Sequence, residues 1–230
     1  MTELKKIEFP RQILTEEVIF KSLNATDVII NEHFSITDLP HGEIGTMADL
    51  PAATVVFDLS GSSLSIRNEG ARKFAAESQD LFRALTDTIY NNHGIVEKFP
   101  GDGISMHFPA MEFGKEGAIQ NACRAIMKMD LILNKTMGRD KYRFTLTYGE
   151  DTIITTFGSK KHLELISIGH AVNVAHKLEK IVKEQKCFLG IDSECRKTAS
   201  KFFYNSSPFL MPEELTRASL DYDLWFGVEY

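Results

Sequence analysis

Two aspartates in this sequence have settings that favour metal binding. Asp58 ends a short apolar run, Ala53–Leu59, and Asp102 lies in the turn-forming segment Pro100-Gly101-Asp102-Gly103. Taken alone, each residue fits an ordinary structural role: Asp58 fits that of a helix cap and Asp102 that of a turn residue. An aspartate that ends a buried strand is costly unless its charge is used. As a pair, the two offer hard oxygen ligands with open positions, which suits Mg²⁺ or Mn²⁺ carrying substrate phosphates.

The first aspartate is placed by a strand and a helix. Ala53–Leu59 is rich in β-branched residues and predicts a buried strand. The small residues after Asp58 can start a helix and offer backbone N–H groups to a phosphate. Apolar residues then recur at helical spacing up to about Asn91, and they are Phe74, Leu81, Phe82, Leu85 and Ile89.

The second aspartate lies at the tip of a predicted hairpin. Ile95–Phe99 and Ile104–Phe108 are short apolar runs, and the glycine-rich segment between them has the composition of a tight turn. The same patterns predict four further elements: a helix through Ile119 and Leu133 that ends near Gly138, a strand at Arg143–Tyr148 with Thr152–Phe157 as its neighbour, a helix from His170 to about Lys183, and a strand at Tyr222–Val228.

This order of elements predicts an α+β fold, a ferredoxin-like βαββαβ core with extra C-terminal elements. Residues 1–50 form a short N-terminal lead-in, and residues 51–230 form one domain. We expect a mainly antiparallel sheet with its helices on one face. The first strand and the hairpin lie side by side in such a sheet, so Asp58 and Asp102 should converge at one edge.

Composition fits one globular domain plus an appendage, with 230 residues of which 43% are hydrophobic and 25% charged. The net charge of −6 argues against a nucleic-acid partner. Cys123, Cys187 and Cys195 form an odd set without CxxC spacing, so we expect buried thiols in a reducing compartment. Residues 1–10 lack a secretory signal and no apolar run could span a bilayer, so we expect a cytoplasmic protein without a membrane partner.

Three segments resemble class III adenylyl and guanylyl cyclases. Phe57-Asp58-Leu59-Ser60-Gly61-Ser62 is similar to the family's F-x-D-x-x-G-[ST] segment, and Lys98-Phe99-Pro100-Gly101-Asp102-Gly103 to its K-[FY]-x-G-D-[GA] hairpin. Ile168-Gly169-His170-Ala171-Val172-Asn173 resembles its I-G-x-x-V-N segment. The resemblance covers about residues 53–184 in the family's order, which makes the three motifs together quite specific.

The resemblance implies an enzyme that converts a nucleoside triphosphate to a 3′,5′-cyclic nucleotide and pyrophosphate. It implies an obligate homodimer with active sites across the interface, and two Mg²⁺ or Mn²⁺ ions held by Asp58, Asp102 and the Leu59 carbonyl. Asn173 of the other subunit would position the ribose or the reacting phosphate, with Lys177 beside it. The implied substrate-binding residues are Phe57, Ser60, Gly61, Ser62, Ser63, Lys98 and Glu164, of which the last two read the base.

The sequence departs from the family at its phosphate and base contacts. Lys177 stands where these cyclases usually carry an arginine, and lysine keeps the charge but loses the bidentate fork. Either activity is then lower or another residue completes the site. Glu164, in the predicted loop before the last helix, replaces an aspartate typical of adenylyl cyclases. No lysine follows Lys201 to bind the triphosphate; Arg11 and Arg67 are candidates, although both fit surface positions better.

A stand-alone catalytic domain with an altered base pocket resembles the pyrimidine cyclases of bacterial Pycsar antiphage systems. That resemblance implies a uridylate cyclase, with UTP favoured over CTP, whose cyclic UMP acts on a separate effector protein. An adenylyl cyclase that makes cyclic AMP is the alternative enzyme. A catalytically weak cyclase-fold nucleotide sensor is the alternative from another class, and Lys177 is the one feature that favours it. A diguanylate cyclase is excluded because the hairpin lacks the GG[DE]EF signature.

Overall fold

A computed structural model of the chain describes residues 47–60, 67–68, 70–159, 162–203 and 222–225. Its elements, in chain order, are β1 (Met47–Asp49), β2 (Ala52–Leu59), α1 (Ala71–Tyr90), β3 (Ile95–Lys98), β4 (Gly103–Pro109), α2 (Gly114–Thr136), β5 (Tyr142–Gly149), β6 (Ile153–Ser159), β7 (His162–Ile168), α3 (His170–Glu184), β8 (Leu189–Asp192), α4 (Ser193–Ala199) and β9 (Tyr222–Trp225). Residues 1–46 of the predicted lead-in lie outside this described part.

The central strand of the fold is β2, in which every residue except Asp58 is buried. It lies in a sheet of six described strands with the order β3-β4-β2-β5-β8-β9. Neighbouring strands are antiparallel except β5 and β8, which are parallel. The order β5-β2-β4-β3 is that of a ferredoxin-like βαββαβ unit. The predicted fold class is therefore confirmed, with β8, α4 and β9 among the extra C-terminal elements.

Helices cover both faces of this sheet. Phe57 points into the core formed with α1 and α2, where its ring centroid lies 6.4 Å from that of Phe82. On the opposite face, the Thr147 hydroxyl donates to the Ala171 carbonyl of α3 at 2.9 Å. The prediction that the helices share one face is right for α1 and α2 and wrong for α3. The reason is that β2 and β5 bury side chains on both faces, so both must be covered.

A second sheet of three described strands has the order β1-β6-β7, with both pairs antiparallel. The sequence predicts Thr152–Phe157 as the neighbour of Arg143–Tyr148, and this pairing is wrong. β5 has β2 on one side and β8 on the other, so neither of its edges is left for β6. β6 pairs instead with β7, which lies where the sequence predicts a loop around Glu164.

Short elements escape sequence patterns. β8 has four residues and α4 has seven, which is too short for a helical or alternating period to emerge. The predicted final strand is confirmed at Tyr222–Trp225, and its predicted continuation to residue 228 lies outside the described part. All three cysteines are buried free thiols, as predicted. None of the helices in the described ranges is long and apolar enough to cross a membrane.

Candidate active site

Asp58 and Asp102 lie at the same edge of the six-stranded sheet. Asp58 is opposite Gly103 in the β2–β4 ladder, so Asp102 comes next to it across the two strands. The turn depends on its glycines. Gly101 has a φ of +65°, and a Cβ on Gly103 would lie 2.5 Å from the Phe57 carbonyl oxygen. The glycines thus permit the close approach of the turn to β2, which puts Asp102 one residue before the position opposite Asp58.

Arg143 on β5 lies directly opposite Asp58 on β2. Its Nη2 and Nε donate to Asp58 Oδ2 at 2.8 and 3.1 Å, and its Nε lies 3.2 Å from Glu179 Oε1. Only 6% of the Arg143 side chain is exposed, so the guanidinium is held between two carboxylates. Sequence reasoning misses this residue, because the pair joins positions 85 residues apart and becomes visible only when the partner of β5 is known.

Glu179 on α3 adds a second carboxylate beside Asp58. Burial and, next in size, the negative charge of Asp58 raise the pKa of Glu179, whereas Arg143 acts in the opposite direction. Two carboxylates that share one guanidinium make this edge of the sheet electronegative, and a further cation would stabilise it.

The donor set at this edge fits Mg²⁺ or Mn²⁺. Asp58 and Asp102 would supply carboxylate oxygens, and the Leu59 carbonyl follows at the end of β2. Within the described residues, no three His, Cys, Asp or Glu side chains converge into a closed metal cage. Mg²⁺ in proteins commonly takes one or two carboxylates, while substrate phosphates and water fill its other positions. The predicted ligand set stays a prediction that this geometry can accommodate.

A cavity of about 510 Å³ opens beside Arg143, between the end of β2, the start of β5 and the C-terminal end of α3. Lys183 and Lys186 on its wall are exposed. Arg139 is anchored there by the buried Asp130, to which its Nε and Nη2 donate at 3.1 and 2.9 Å. Positive charge next to the candidate metal edge suits a polyphosphate. The full lining is Ser60, Arg139, Asp140, Tyr142, Arg143, Lys183, Lys186 and Cys187.

Lys186 has an unfavourable backbone conformation, with a φ of 54° directly after α3. The following residue closes the helix, since Cys187 N–H donates to the Val182 carbonyl at 3.0 Å. Glycine or asparagine usually occupies such a position, because a β-carbon there costs about 1 kcal/mol. Lysine near a helix C-terminus also complements the helix dipole, but Lys183 in the last turn already does so. The Lys186 side chain thus lines the cavity from a position that glycine usually occupies.

Lys98 and Glu164, the predicted base-reading residues, lie on different strands, β3 and β7. Lys98 is 46% exposed and its Nζ lies 3.4 Å from Glu97 Oε1. Glu164 is exposed, and its Oε1 lies 2.9 Å from His162 Nε2. The two strands meet where the Ser167 N–H donates to Glu97 Oε1 at 2.8 Å. The structure thus brings the strands together, whereas the ion pairs of Lys98 and Glu164 are with other residues.

Asn173 and Lys177 are exposed on the outer side of α3. At about 100° per residue, Lys177 lies about 200° and Asn173 about 240° around the helix from Glu179, which interacts with Asp58. Asn173 and Lys177 therefore point away from the Asp58 of their own chain and are accessible to a second chain. The buried residues of the helix are Ala171, Val172, Val174, Ala175, Leu178 and Val182.

The remaining predicted contacts differ in their surroundings. The Phe57 side chain is buried between the rings of Phe82 and Phe144, so only its backbone can face a ligand. Ser60 lines the cavity beside Arg143, and its contact with phosphate stays a prediction. Arg67 is exposed. Four predicted residues lie outside the described part of the chain, namely Arg11, Gly61, Ser62 and Ser63.

Solved structures of cyclases share this fold. A bacterial light-regulated adenylyl cyclase is 21% identical over 69% of this chain, with a TM-score of 0.54; this chain spans 47% of that one, about half its length. A non-canonical dimeric guanylyl cyclase domain of the RhoGC fusion protein from the aquatic fungus Blastocladiella emersonii is 12% identical. It covers 79% of this chain and 99% of its own, with a TM-score of 0.59.

A third structure is the catalytic core of a rhodopsin-guanylyl cyclase with converted specificity, in complex with ATPαS. It is 13% identical to this chain and covers 80% of it and 98% of its own length, with a TM-score of 0.57. No protein-family model and no curated protein matches the sequence. At these identities the likeness establishes the fold, which is that of adenylyl and guanylyl cyclase catalytic domains.

Proposed function

We propose that this protein is a nucleotidyl cyclase that converts a nucleoside triphosphate to a 3′,5′-cyclic nucleotide and pyrophosphate. One observation carries the proposal: Asp58 and Asp102 occupy adjacent positions at one sheet edge, and a cation-lined cavity opens beside Arg143, the hydrogen-bond partner of Asp58. The shared fold with nucleotide cyclases supports the same reaction class. A carboxylate edge for metals next to a basic cavity for phosphates is the arrangement that phosphoryl chemistry requires.

Each residue of the metal edge has a role in this proposal. Asp58, Asp102 and the Leu59 carbonyl would hold two Mg²⁺ or Mn²⁺ ions. When bound, such ions lower the pKa of the attacking 3′-hydroxyl and neutralise charge on the phosphates. Arg143 fixes the Asp58 carboxylate through two hydrogen bonds to the same oxygen, Oδ2. This keeps the carboxylate oriented before a substrate arrives, which lowers the reorganisation that binding would require.

The cationic cavity would bind the pyrophosphate end of the substrate. Lys183, Lys186 and Ser60 lie on its wall beside Arg143. The sequence has no lysine after Lys201 to bind the triphosphate. Lys183 and Lys186 would supply positive charge instead, and Ser60 would supply a hydroxyl donor. Charge-assisted bonds to phosphate oxygens would align the α-phosphate with the ribose hydroxyl.

We further propose that two chains complete each active site. Asn173 and Lys177 point away from the Asp58 of their own chain, so they would act on a substrate held by the partner. Asn173 would position the ribose or the α-phosphate, and Lys177 would stabilise charge that develops on the phosphates. A homodimer with two equivalent sites is the closed arrangement that such an interface favours. Residues 51–230 would form the catalytic domain and residues 1–50 its lead-in.

For the base, we propose a pyrimidine, with UTP favoured over CTP and cyclic UMP acting on a separate effector protein in antiphage defence. Support comes from Glu164, which is exposed on β7, whereas Lys98 at the other base-reading position is typical of adenylyl cyclases. Glu164 is longer than the aspartate of adenylyl cyclases and narrows the space for a base. Cyclic AMP production is the alternative. A nucleotide sensor is the alternative of another class, since Lys177 lacks the bidentate fork of arginine.

Product analysis tests this proposal. The purified protein is incubated with Mn²⁺ and each of ATP, GTP, CTP and UTP, and cyclic products are identified by mass spectrometry. We expect cyclic UMP as the main product and its loss in Asp58→Asn, which keeps the side-chain size and removes the charge. Cyclic AMP as the main product would replace the pyrimidine assignment by the adenylyl one. No cyclic product from any nucleotide would contradict the cyclase and favour the sensor.

A further inference from the structure

We propose that Glu97 is a positioning residue for nucleobase discrimination, acting through Lys98 and the strand that carries Glu164. The inference rests on the proposed function, because Lys98 and Glu164 are assigned there to the base. Glu97 itself is buried and does not contact substrate. Its part is to fix the Lys98 ammonium and to hold β7 against β3.

A β-bulge places Glu97 and Lys98 on the same side of β3. In the β3–β4 ladder Val96 is opposite Met106 and Lys98 is opposite Ser105, so the register shifts at Glu97. Side chains normally alternate between the two faces of a strand, and a bulge re-aims one of them. The Glu97 carboxylate accordingly reaches the Ser105 hydroxyl at 2.7 Å, on the face to which Lys98 belongs. The Lys98 ammonium then lies 3.4 Å from Glu97 Oε1.

The two carboxylate oxygens of Glu97 have separate partners. Oε2 accepts from the Ser105 hydroxyl and lies 3.4 Å from His107 Nε2. Oε1 accepts from the Ser167 N–H at 2.8 Å and faces the Lys98 ammonium. Oε2 is thus hydrogen-bonded to the neighbouring strand β4, whereas Oε1 connects Lys98 to β7. This division makes it possible to perturb the two sides independently.

Glu97 is held charged although its side chain is only 1% exposed. Burial alone raises its pKa, but contacts with His107, the Ser167 N–H and the Ser105 hydroxyl outweigh this, and the pKa lies well below its usual range. A buried carboxylate that keeps its charge is fixed in position by its hydrogen bonds. Glu97 therefore provides a fixed negative charge next to the ammonium of the half-exposed Lys98.

The Ser167 contact is a hydrogen bond between the two sheets. It joins positions 70 residues apart in the chain, and Glu164 lies three residues before Ser167 on β7. Displacement of this strand would move Glu164 relative to Lys98. A single carboxylate therefore touches one predicted base-reading residue and the strand that carries the other.

A structural role is the competing explanation for this cluster. Thr54, His107 and Glu97 follow each other in the order hydroxyl, imidazole, carboxylate, with Thr54 Oγ1 3.1 Å from His107 Nδ1. Catalysis by this trio is excluded because their side chains are essentially inaccessible. If the trio served stability alone, a change at Glu97 would weaken the binding of all four nucleoside triphosphates equally. A positioning role instead changes the preference among bases.

The chemistry of the Lys98 ammonium determines which atoms of a base it can recognise. An ammonium is a hydrogen-bond donor only, so it recognises an acceptor atom of the base, such as a carbonyl oxygen or an unprotonated ring nitrogen. The ion pair with Glu97 gives the Lys98 ammonium one preferred position. Without this ion pair it can reach acceptors at other places, and bases of different shape would then bind more equally.

The test compares wild type with Glu97→Gln, which keeps the shape and removes the charge, and with Ser105→Ala. The alanine variant is the matched control, because it loosens the same buried cluster on the Oε2 side and leaves the Lys98 and β7 contacts in place. Affinities are measured for 3′-deoxynucleoside triphosphates of the four bases, which lack the attacking hydroxyl. The readout is the ratio of dissociation constants between the best and the weakest base.

We expect Glu97→Gln to reduce this ratio about tenfold, the value of one hydrogen bond to a charged group, and Ser105→Ala to leave it unchanged. In a Lys98→Gln background the Glu97 change should have a clearly smaller effect on the ratio, because only the contact with β7 then remains to be lost. A uniform loss of affinity with an unchanged ratio would overturn the inference, as would an equal effect with and without Lys98. Failure of the cyclase proposal is separate, since it appears as intact nucleotide binding without a cyclic product.

Discussion

Arg143 and Asp58 face each other across the β2–β5 ladder, and both guanidinium hydrogen bonds converge on a single carboxylate oxygen, Asp58 Oδ2. The same guanidinium lies 3.2 Å from Glu179 Oε1 on α3. One buried cation thus ties the central strand, its neighbour and the helix on the outer face together. The candidate metal edge is built on this contact.

Removal of the guanidinium should destabilise the fold. Arg143→Met leaves the carboxylates of Asp58 and Glu179 close together without their cation, and we expect a loss of about 3 kcal/mol in the free energy of unfolding. Arg143→Lys keeps the charge without the fork and should lose less. Urea denaturation followed by circular dichroism measures both. A methionine variant as stable as wild type would show that the ion pair is not needed to hold the edge.

The hairpin glycines should respond differently to alanine. Gly101→Ala meets no atom within 4 Å and should cost about 1 kcal/mol through its positive φ alone. Gly103→Ala must displace the Phe57 carbonyl, since its Cβ would lie 2.5 Å away. It should therefore also separate Asp102 from Asp58 and raise the Mn²⁺ concentration that gives half-maximal activity. Equal metal dependence in the two variants would contradict the placement of Asp102 in the site.

Lys186→Gly should separate stability from phosphate binding. Glycine relieves the φ of 54° and should raise the free energy of unfolding by about 1 kcal/mol. Pyrophosphate binding, measured by calorimetry, should weaken several-fold because a cavity cation is lost. The matched control is Lys180→Gly within α3, which should lose about 1 kcal/mol and bind pyrophosphate as wild type does. Unchanged binding in Lys186→Gly would remove this lysine from the phosphate site.

Lys177→Arg should raise the cyclisation rate. Arginine adds the bidentate fork that lysine lacks, and we expect a kcat about tenfold higher. The side chain is exposed, so the free energy of unfolding should change by less than about 0.5 kcal/mol. Lys180→Arg on the same helix is the control and should leave kcat as it is. A kcat that does not rise in Lys177→Arg would mean that this residue does not reach the reacting phosphates.

Local patterns in the sequence predict the βαββαβ core well. The β-branched run at β2, the helical spacing in α1 and α2 and the Pro-Gly-Asp-Gly turn each depend on neighbouring residues. The pairing partner of a strand does not depend on neighbouring residues. The pairing of β6 with β7 is therefore not visible in the pattern of either strand. The same holds for α3, whose apolar stripe predicts a helix but not the sheet face that it covers.

The candidate site shows the same division. Asp58 and Asp102 follow from strand ends and turn composition, whereas Arg143 depends on a contact between residues 85 positions apart. Glu97 is recognisable as a separate feature only through a register shift in its strand. Lys186 requires knowledge of its φ angle. Side chains that act through long-range pairs or unusual backbone thus emerge only with the structure.

The central claim, that each active site combines the metal edge of one chain with Asn173 and Lys177 of another, is tested most directly by mixing two inactive variants. Asp58→Asn and Asn173→Ala should each be inactive as homodimers. Co-refolded in equal amounts, they should regain about a quarter of wild-type cyclic nucleotide production, since half of the dimers would carry one intact site of two. A mixture that forms heterodimers and stays inactive, beside active wild type, would contradict the composite site.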